Sequence, residues 1–301
     1  MKIGIDLGGS HIGMGLVDED KIIATKEKIF TRADRQDIKN CIITEIERLY
    51  KELITENNLT KNDIELVGLA SPGTISSGKI VRATNLNIYD FDIANILKEK
   101  LEIPVIVRND AKCAALAEKK YGSMKVYDDC IFLTIGTGIG GAAFIAGNLL
   151  EPKRYSGFEF GHMIVNKGGR ACSCGKKGCF EAYSSIKALK NKVTETLDVD
   201  SDISGQYLRE QLLIKDHPGV KEDIDVFLEY LKVGVCNLID MFEPQVVCFG
   251  GSFSYYEGNP VLDKFYEKLN QENSTFNGKP LPDFVIAKYK NDAGIIGATI
   301  E

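Results

Sequence analysis

Six residues between positions 159 and 181 could together bind a metal and a polar ligand: Glu159, His162, Cys172, Cys174, Cys179 and Glu181. Three thiols and one imidazole are the four soft ligands of a closed tetrahedral zinc site. One residue separates Cys172 from Cys174 and four separate Cys174 from Cys179. In so tight a knuckle, Gly175 and Gly178 let the backbone turn around an ion. His162 joins across nine intervening residues, so a metal would staple two loop segments together. A purely structural zinc needs no acids beside it, yet Glu159 and Glu181 flank the ligand set. The segment reads either as a structural zinc with solvated acids or as a binding pocket that the zinc organises.

Two glycine-rich tips offer phosphate chemistry. Asp6-Leu7-Gly8-Gly9-Ser10 lies between two strand patterns. Its glycines let backbone N–H groups approach an anion, and Ser10 adds a hydroxyl. Asp6 is placed to hold a hydrated Mg2+ beside the same phosphates; a plain hairpin turn would use the same residues. The second tip, Gly136-Thr137-Gly138-Ile139-Gly140-Gly141, formally matches the GxGxxG dinucleotide fingerprint. That fingerprint needs a helix at its third glycine, whereas residues 142–146 are apolar, short and stopped by Gly147-Asn148. A hairpin tip with Thr137 between Gly136 and Gly138 is the better phosphate cradle, and the chain has no GxxxxGK[ST]. Gly250-Gly251-Ser252 follows a buried strand pattern at its carboxyl end, where open α/β sheets bind ligands. It is the expected floor for adenosine. Asn109-Asp110 ends another strand and opens a helix. Asp110 there is either an N-cap or a base that deprotonates a hydroxyl while Asn109 binds a neighbouring one.

The elements that must position these groups come in two similar sets. Strands are expected at 2–6, 12–17 and 21–30, then an amphipathic helix at 35–57. Its Ile38, Ile42, Ile46, Leu49 and Leu53 recur at helical spacing. Strands at 64–70 and 104–108 enclose a loop at 71–87 and a helix near 92–101, and a helix at 111–121 follows. Strands at 129–135 and 141–145 then flank the second tip. Helices are expected at 184–197, 206–214, 222–241 and 261–273, strands at 245–249 and 283–287, and a last helix at 292–300. Two halves that each open on a glycine-tipped hairpin predict duplicated α/β domains facing a cleft.

Length and composition set the outer bounds. At 301 residues there is room for two domains. A hydrophobic fraction of 44%, a charged fraction of 27% and a net charge of −6 fit a soluble globular protein with no nucleic-acid partner. No apolar run reaches the ~20 residues of a membrane span, and no signal-peptide core opens the chain, so a cytoplasmic protein is expected. Outside the knuckle, Cys41, Cys113, Cys130, Cys236 and Cys248 sit singly in apolar segments, as reduced, buried thiols do.

Together these parts resemble the ROK family (repressors, open reading frames, kinases) of sugar kinases, within the actin-like ATPase superfamily. The resemblance covers DLGGS at 6–10, SPG at 71–73, NL at 85–86, ND at 109–110 and TIGTGIGG at 134–141. It continues with EFGH at 159–162, CSCGKKGCFE at 172–181 and NDAGIIGA at 291–298. It implies an α/β fold of two ribonuclease H-like domains around a central cleft, with a zinc-knuckle insertion. Residues 1–115, completed by the helix near 292–301, would form the smaller domain. Residues 116–291, with the zinc segment 159–181, would form the larger. By the same resemblance Asp110 is the catalytic base, and Asn85, Asn109, Glu159, His162 and Glu181 hold sugar hydroxyls beside the Gly73 backbone. Asp6, Gly8, Gly9, Ser10 and Thr137 hold the phosphates and Mg2+ of ATP; Gly138 beside Thr137, and Gly250 and Gly251 at their strand end, complete the expected nucleotide contacts. His162, Cys172, Cys174 and Cys179 bind Zn2+, so His162 is both ligand and sugar contact.

Three departures from the family pattern stand out. Ser10-His11 stands where Thr-Lys is commoner, and Ser71 where Gly is commoner. Tyr89 lies near the position where many glucokinases carry Trp, which this chain lacks. The implied activity is an ATP-dependent hexokinase, a glucokinase acting on the 6-hydroxyl, assembled as a homodimer. N-acetylmannosamine kinase, fructokinase and allokinase are the rivals within the family. From another class, a sugar-sensing repressor needs a DNA-binding domain ahead of the first tip, and here that tip starts at Asp6. A non-catalytic sugar sensor acting through protein contacts is the remaining alternative.

Overall fold

The computed structural model describes residues 1–152, 157–199, 203–213, 215, 217–271 and 279–301. They form two compact units, Met1–Lys125 with Glu151–Gly157 and Asn291–Glu301, and Val126–Leu150 with Phe158–Lys290.

In the first unit, strands β1 (Lys2–Leu7), β2 (His11–Asp18) and β3 (Lys21–Ile29) precede helix α1 (Ile38–Glu56) and strand β4 (Leu66–Ser71). Short strands β5 (Thr74–Ser76), β6 (Lys79–Ala83) and β7 (Ile88–Phe91) follow. Helix α2 (Ile93–Leu101), strand β8 (Val105–Asn109) and helix α3 (Asp110–Lys120) come next. The main sheet runs β3-β2-β1-β4-β8. β1 and β2 are antiparallel, while β4 is parallel to β1 and to β8. Ile3, Ile5 and Leu7 alternate along β1 and share one buried cluster with Ile42, Ile46, Leu49 and Leu53 of α1, as periods of two and of three-to-four require.

The second unit repeats the order. Strands β9 (Cys130–Ile135), β10 (Ile139–Ile145) and β11 (Asn148–Leu149) lead into helices α4 (Glu181–Ser184), α5 (Ile186–Thr196), α6 (Gly205–Tyr207) and α7 (Lys221–Phe242). Strand β12 (Val246–Gly250), helix α8 (Pro260–Gln271) and strand β13 (Asp283–Ile286) complete it. Its sheet runs β11-β10-β9-β12-β13, antiparallel at β9–β10 and parallel at β9–β12 and β12–β13. Phe227, Leu228, Leu231, Val235 and Leu238 of α7 are buried with Leu133 and Phe249 of the sheet. The last helix, α9 (Ala293–Ala298), belongs to the first unit. It lies so close on β1 and β4 that a β-carbon at Gly4 or Gly68 would overlap the Ile295 or Ala298 carbonyl.

Several expected elements differ. The loop expected at 71–87 is mostly strand, because β5, β6 and β7 pair into a small antiparallel sheet. The helix expected at 184–197 is two helices. Ser185 is extended and its side chain caps α5, accepting the Ala188 N–H at 3.0 Å. The segment expected as a helix at 206–214 is α6 followed by a π-helical stretch, Leu208–Leu213; Ile214 lies outside the described residues. So do Glu272 and Asn273, the expected end of the helix at 261–273. A domain boundary at 115 would cut α3, which is one continuous helix, and the first unit runs on to Lys125.

Candidate functional site

Strand register gathers the first unit's site residues. Asp6 pairs with Ala70 and Ser71 with Asn109, so the carboxyl ends of β1, β4 and β8 lie side by side. From β1 the chain turns through Gly8, Gly9 and Ser10. The His11 ring lies against Gly8, with Nδ1 3.4 Å from Ser10 Oγ. A β-carbon on Gly9 would stand 3.1 Å from Asn85 Nδ2, so this tip adjoins the expected sugar contact. Arg35 Nη2 donates to the Gly9 carbonyl at 2.6 Å, a contact that sequence reading did not single out. Burial pushes the Asp6 carboxyl above its ordinary value, and the charge of His11 pulls it back. A half-buried carboxyl beside a glycine tip is a fitting seat for a hydrated divalent cation.

From β4 the chain turns at Gly73, whose φ of +88° and closeness to the Arg82 carbonyl exclude a side chain. Asn109 Nδ2 donates to the Gly73 carbonyl at 3.2 Å. The same Asn109 caps α3, its Oδ1 accepting the Ala111 N–H at 3.1 Å and the Lys112 N–H at 3.3 Å. Asp110 is therefore the first helical residue and not the cap, and its Oδ1 shares the Ala111 N–H at 2.8 Å.

In the second unit, residues 136–138 form the tip between β9 and β10, closed by the Gly136 N–H on the Gly138 carbonyl at 2.9 Å. The Lys187 N–H holds the Gly136 carbonyl at 3.2 Å. A cavity of about 500 Å³ opens beside the tip, lined by Gly136, Thr137, Lys187, Lys190, Arg209 and Tyr255 among others. A glycine-rich tip and three basic side chains suit a phosphate-bearing ligand, and Tyr255 and Tyr256 add apolar ring surface for a base. Gly250 and Gly251 do not line this cavity. Gly250 packs against the Phe132 ring, and Gly251 turns at φ +66° against Thr134, so Ser252 is the lining residue. Lys187, Lys190 and Arg209 were missed because basic residues at helical spacing read as a solvated face. Positions 187, 190 and 191, sharing one side of α5 just after the knuckle, were the available signal.

The knuckle brings its four predicted ligands together. The ligand atoms of His162, Cys172, Cys174 and Cys179 all lie within 4.8 Å of one another. Cys174 Sγ is 3.6 Å from Cys179 Sγ, and Cys172 Sγ is 3.7 Å from His162 Nδ1. Zinc–sulfur bonds of ~2.3 Å give tetrahedron edges of about 3.8 Å, so the donor set fits such an ion. Burial pushes the Cys179 thiol up to about 12, and the two neighbouring thiols add to it. A bound cation would let three thiolates share this space. Gly178, at φ +83° and pressed on the Asn166 carbonyl, makes the turn that sends Cys179 inward. Buried Phe160 anchors the turn bearing Glu159 and His162, and Glu159 itself is exposed. Glu181 Oε2 accepts the Ile139 N–H of the glycine tip at 3.0 Å. Among the described residues no helix is long and apolar enough to cross a membrane.

Residues 2–300 match the ROK family. The glucokinase of Halalkalibacterium halodurans is 30% identical over 98% of this chain and 92% of its own length. The xylose repressor of Bacillus subtilis is also 30% identical, over 87% of this chain and 66% of its own. Among solved structures, a ROK family glucokinase from Streptomyces griseus in complex with glucose and AMPPNP aligns with a TM-score of 0.83. It is 25% identical, with 99% of this chain and 97% of that chain covered.

Proposed function

The chain belongs to the ROK family, and from that premise we propose that it is an ATP-dependent sugar kinase acting on the 6-hydroxyl of a hexose, with glucose as substrate. Its mixed α/β fold is that of the ROK kinases, within the actin-like ATPase superfamily. The observation that carries the reading is the cavity of about 500 Å³ beside Gly136 and Thr137, where a glycine tip and basic side chains converge.

Phosphoryl transfer needs positioning and charge neutralisation more than covalent chemistry. The hexose hydroxyl oxygen attacks the γ-phosphorus, the bond to ADP breaks, and Asp110 takes the hydroxyl proton. Asn109 holds a neighbouring hydroxyl, while its cap and its bond to Gly73 keep it rigid. Asn85, Glu159, His162 and Glu181 are assigned to the remaining hydroxyls. Asp6, Gly8, Gly9, Ser10 and Thr137 are assigned to the phosphates, with Asp6 holding the Mg2+ that neutralises their charge. His162, Cys172, Cys174 and Cys179 would hold zinc, whose part is to fix the His162 ring and the loop carrying Glu181. Placing residues of both units on one substrate rests on family membership.

Glu159 and Glu181 beside His162 form an acceptor-rich set that suits equatorial hydroxyls as donors. Glucose presents such hydroxyls at carbons two to four, and at carbon one in its β-anomer, whereas N-acetylmannosamine carries an axial acetamide at carbon two. Side-by-side kinetics should give glucose a kcat/KM at least about tenfold higher. The reverse preference would keep the kinase and reassign its substrate. The likeness to a xylose repressor favours a second reading, a sugar sensor without turnover.

A further inference from the structure

Glu181 is held from two sides. Its Oε2 accepts the Ile139 N–H, the first backbone donor of β10, at 3.0 Å. Gly138, just before it, has no side chain, and a β-carbon there would overlap that oxygen. Its Oε1 accepts the Ser173 hydroxyl at 3.3 Å and lies 3.7 Å from Cys172 Sγ. Ser173 stands between two metal-ligand candidates, and Glu181 follows the third thiol, Cys179, by two residues. One carboxylate therefore ties the knuckle to the tip whose Gly136 and Thr137 line the cavity.

A tip made of two glycines and a threonine has much backbone freedom to lose when its N–H groups converge on a phosphate. Within the tip the Gly136–Gly138 bond opposes that freedom, and from outside it the Lys187 N–H holds the Gly136 carbonyl. The bond from Glu181 fixes where β10 begins, and hence the direction of the donors before it. We propose that Glu181 is a positioning residue for the nucleotide, beyond its assigned sugar contact, and that Ser173 holds it in place so that the knuckle's geometry sets nucleotide affinity. The proposal rests on the kinase reading.

The test is calorimetric titration of the full chain with Mg·ADP in the absence of sugar, with metal content and circular dichroism measured alongside. Glu181→Ala should raise the ADP Kd about tenfold, the scale of losing a charged acceptor. Ser173→Ala keeps all four ligand candidates and should raise it about threefold. The double variant should be no weaker than Glu181→Ala, because Ser173 acts only through Glu181. Glu181→Gln keeps an acceptor for the Ile139 N–H and should fall between wild type and alanine. It also supplies the reading if the alanine variant does not fold. ADP affinities within about twofold of wild type in every variant would overturn the proposal, since a carboxylate used only for sugar predicts that result. Additive losses in the double variant would break the Ser173 link and overturn it too. Wild-type protein that binds no ADP would instead remove the kinase reading and the proposal with it.

Discussion

Asn109 caps the helix that Asp110 begins, its Oδ1 lying 3.1 Å from the Ala111 nitrogen and 3.3 Å from the Lys112 nitrogen. An aspartate at the start of a helix is usually explained by capping. Here the neighbour does that work, and Asp110 shares one of the two donors. Asp110→Asn should therefore shift the melting temperature by no more than a few degrees. Loss of a general base should lower kcat by about 10²–10⁴. Melting curves and steady-state rates on one preparation check both. A variant turning over within about threefold of wild type would remove Asp110 from the chemistry.

Asp6 should show the opposite balance of fold and function. Burial raises its carboxyl from the ordinary 3.8, so the folded chain binds more protons than the unfolded one between 3.8 and the folded value. Across that window stability falls as pH rises, and the loss persists at neutral pH. Asp6→Asn should therefore raise the melting temperature of the ligand-free protein at pH 7, by a few degrees, and leave it unchanged below about pH 3.8. The same variant should lose most Mg·nucleotide affinity. Equal destabilisation at both pH values would show that the carboxylate serves the fold.

The knuckle predicts metal content. Protein prepared without chelator should carry about one zinc per chain, as a closed four-ligand site requires. Cys174→Ser should lower that content and raise the sugar KM, because the ion would fix His162. Zinc loss with unchanged sugar affinity would confine the ion to a structural role.

Lys190 and Arg209 line the cavity beside the second tip. Replacing either with alanine should raise the ATP KM about threefold to tenfold, with little change in kcat or sugar KM, as for groups that bind ground and transition states alike. Unchanged ATP kinetics in both variants would move the nucleotide elsewhere.

What was legible in the sequence follows from how local the signals are. The tips at 8–10 and 136–138 and the ligands His162, Cys172, Cys174 and Cys179 declare themselves by residue type and spacing. That the two halves would share one α/β plan was legible in the repeated glycine-tipped hairpins, whereas the strand orders β1-β4-β8 and β9-β12-β13 came only with the structure. Gly250 and Gly251 illustrate the limit of such signals, because a glycine pair at a strand's carboxyl end looks the same whether it lines a ligand or lets two layers touch, as Gly250 does against the Phe132 ring. The small sheet β5-β6-β7 was hidden by strands of three to five residues carrying Ser, Lys and Arg, too short for alternation to show. The two bonds of Glu181 join positions 139, 173 and 181 through tertiary folding, which no spacing rule reveals.

The most direct measurement is ADP release with Mg·ATP, followed with and without glucose, for wild type and Asp110→Asn. A sugar kinase predicts release that depends on glucose, with glucose 6-phosphate formed in equal amount, and a loss of about 10²–10⁴ in the variant. A sensor predicts saturable sugar binding with no ADP release above background in either protein. That result, obtained with protein shown to bind glucose and carry its zinc, would contradict the kinase assignment.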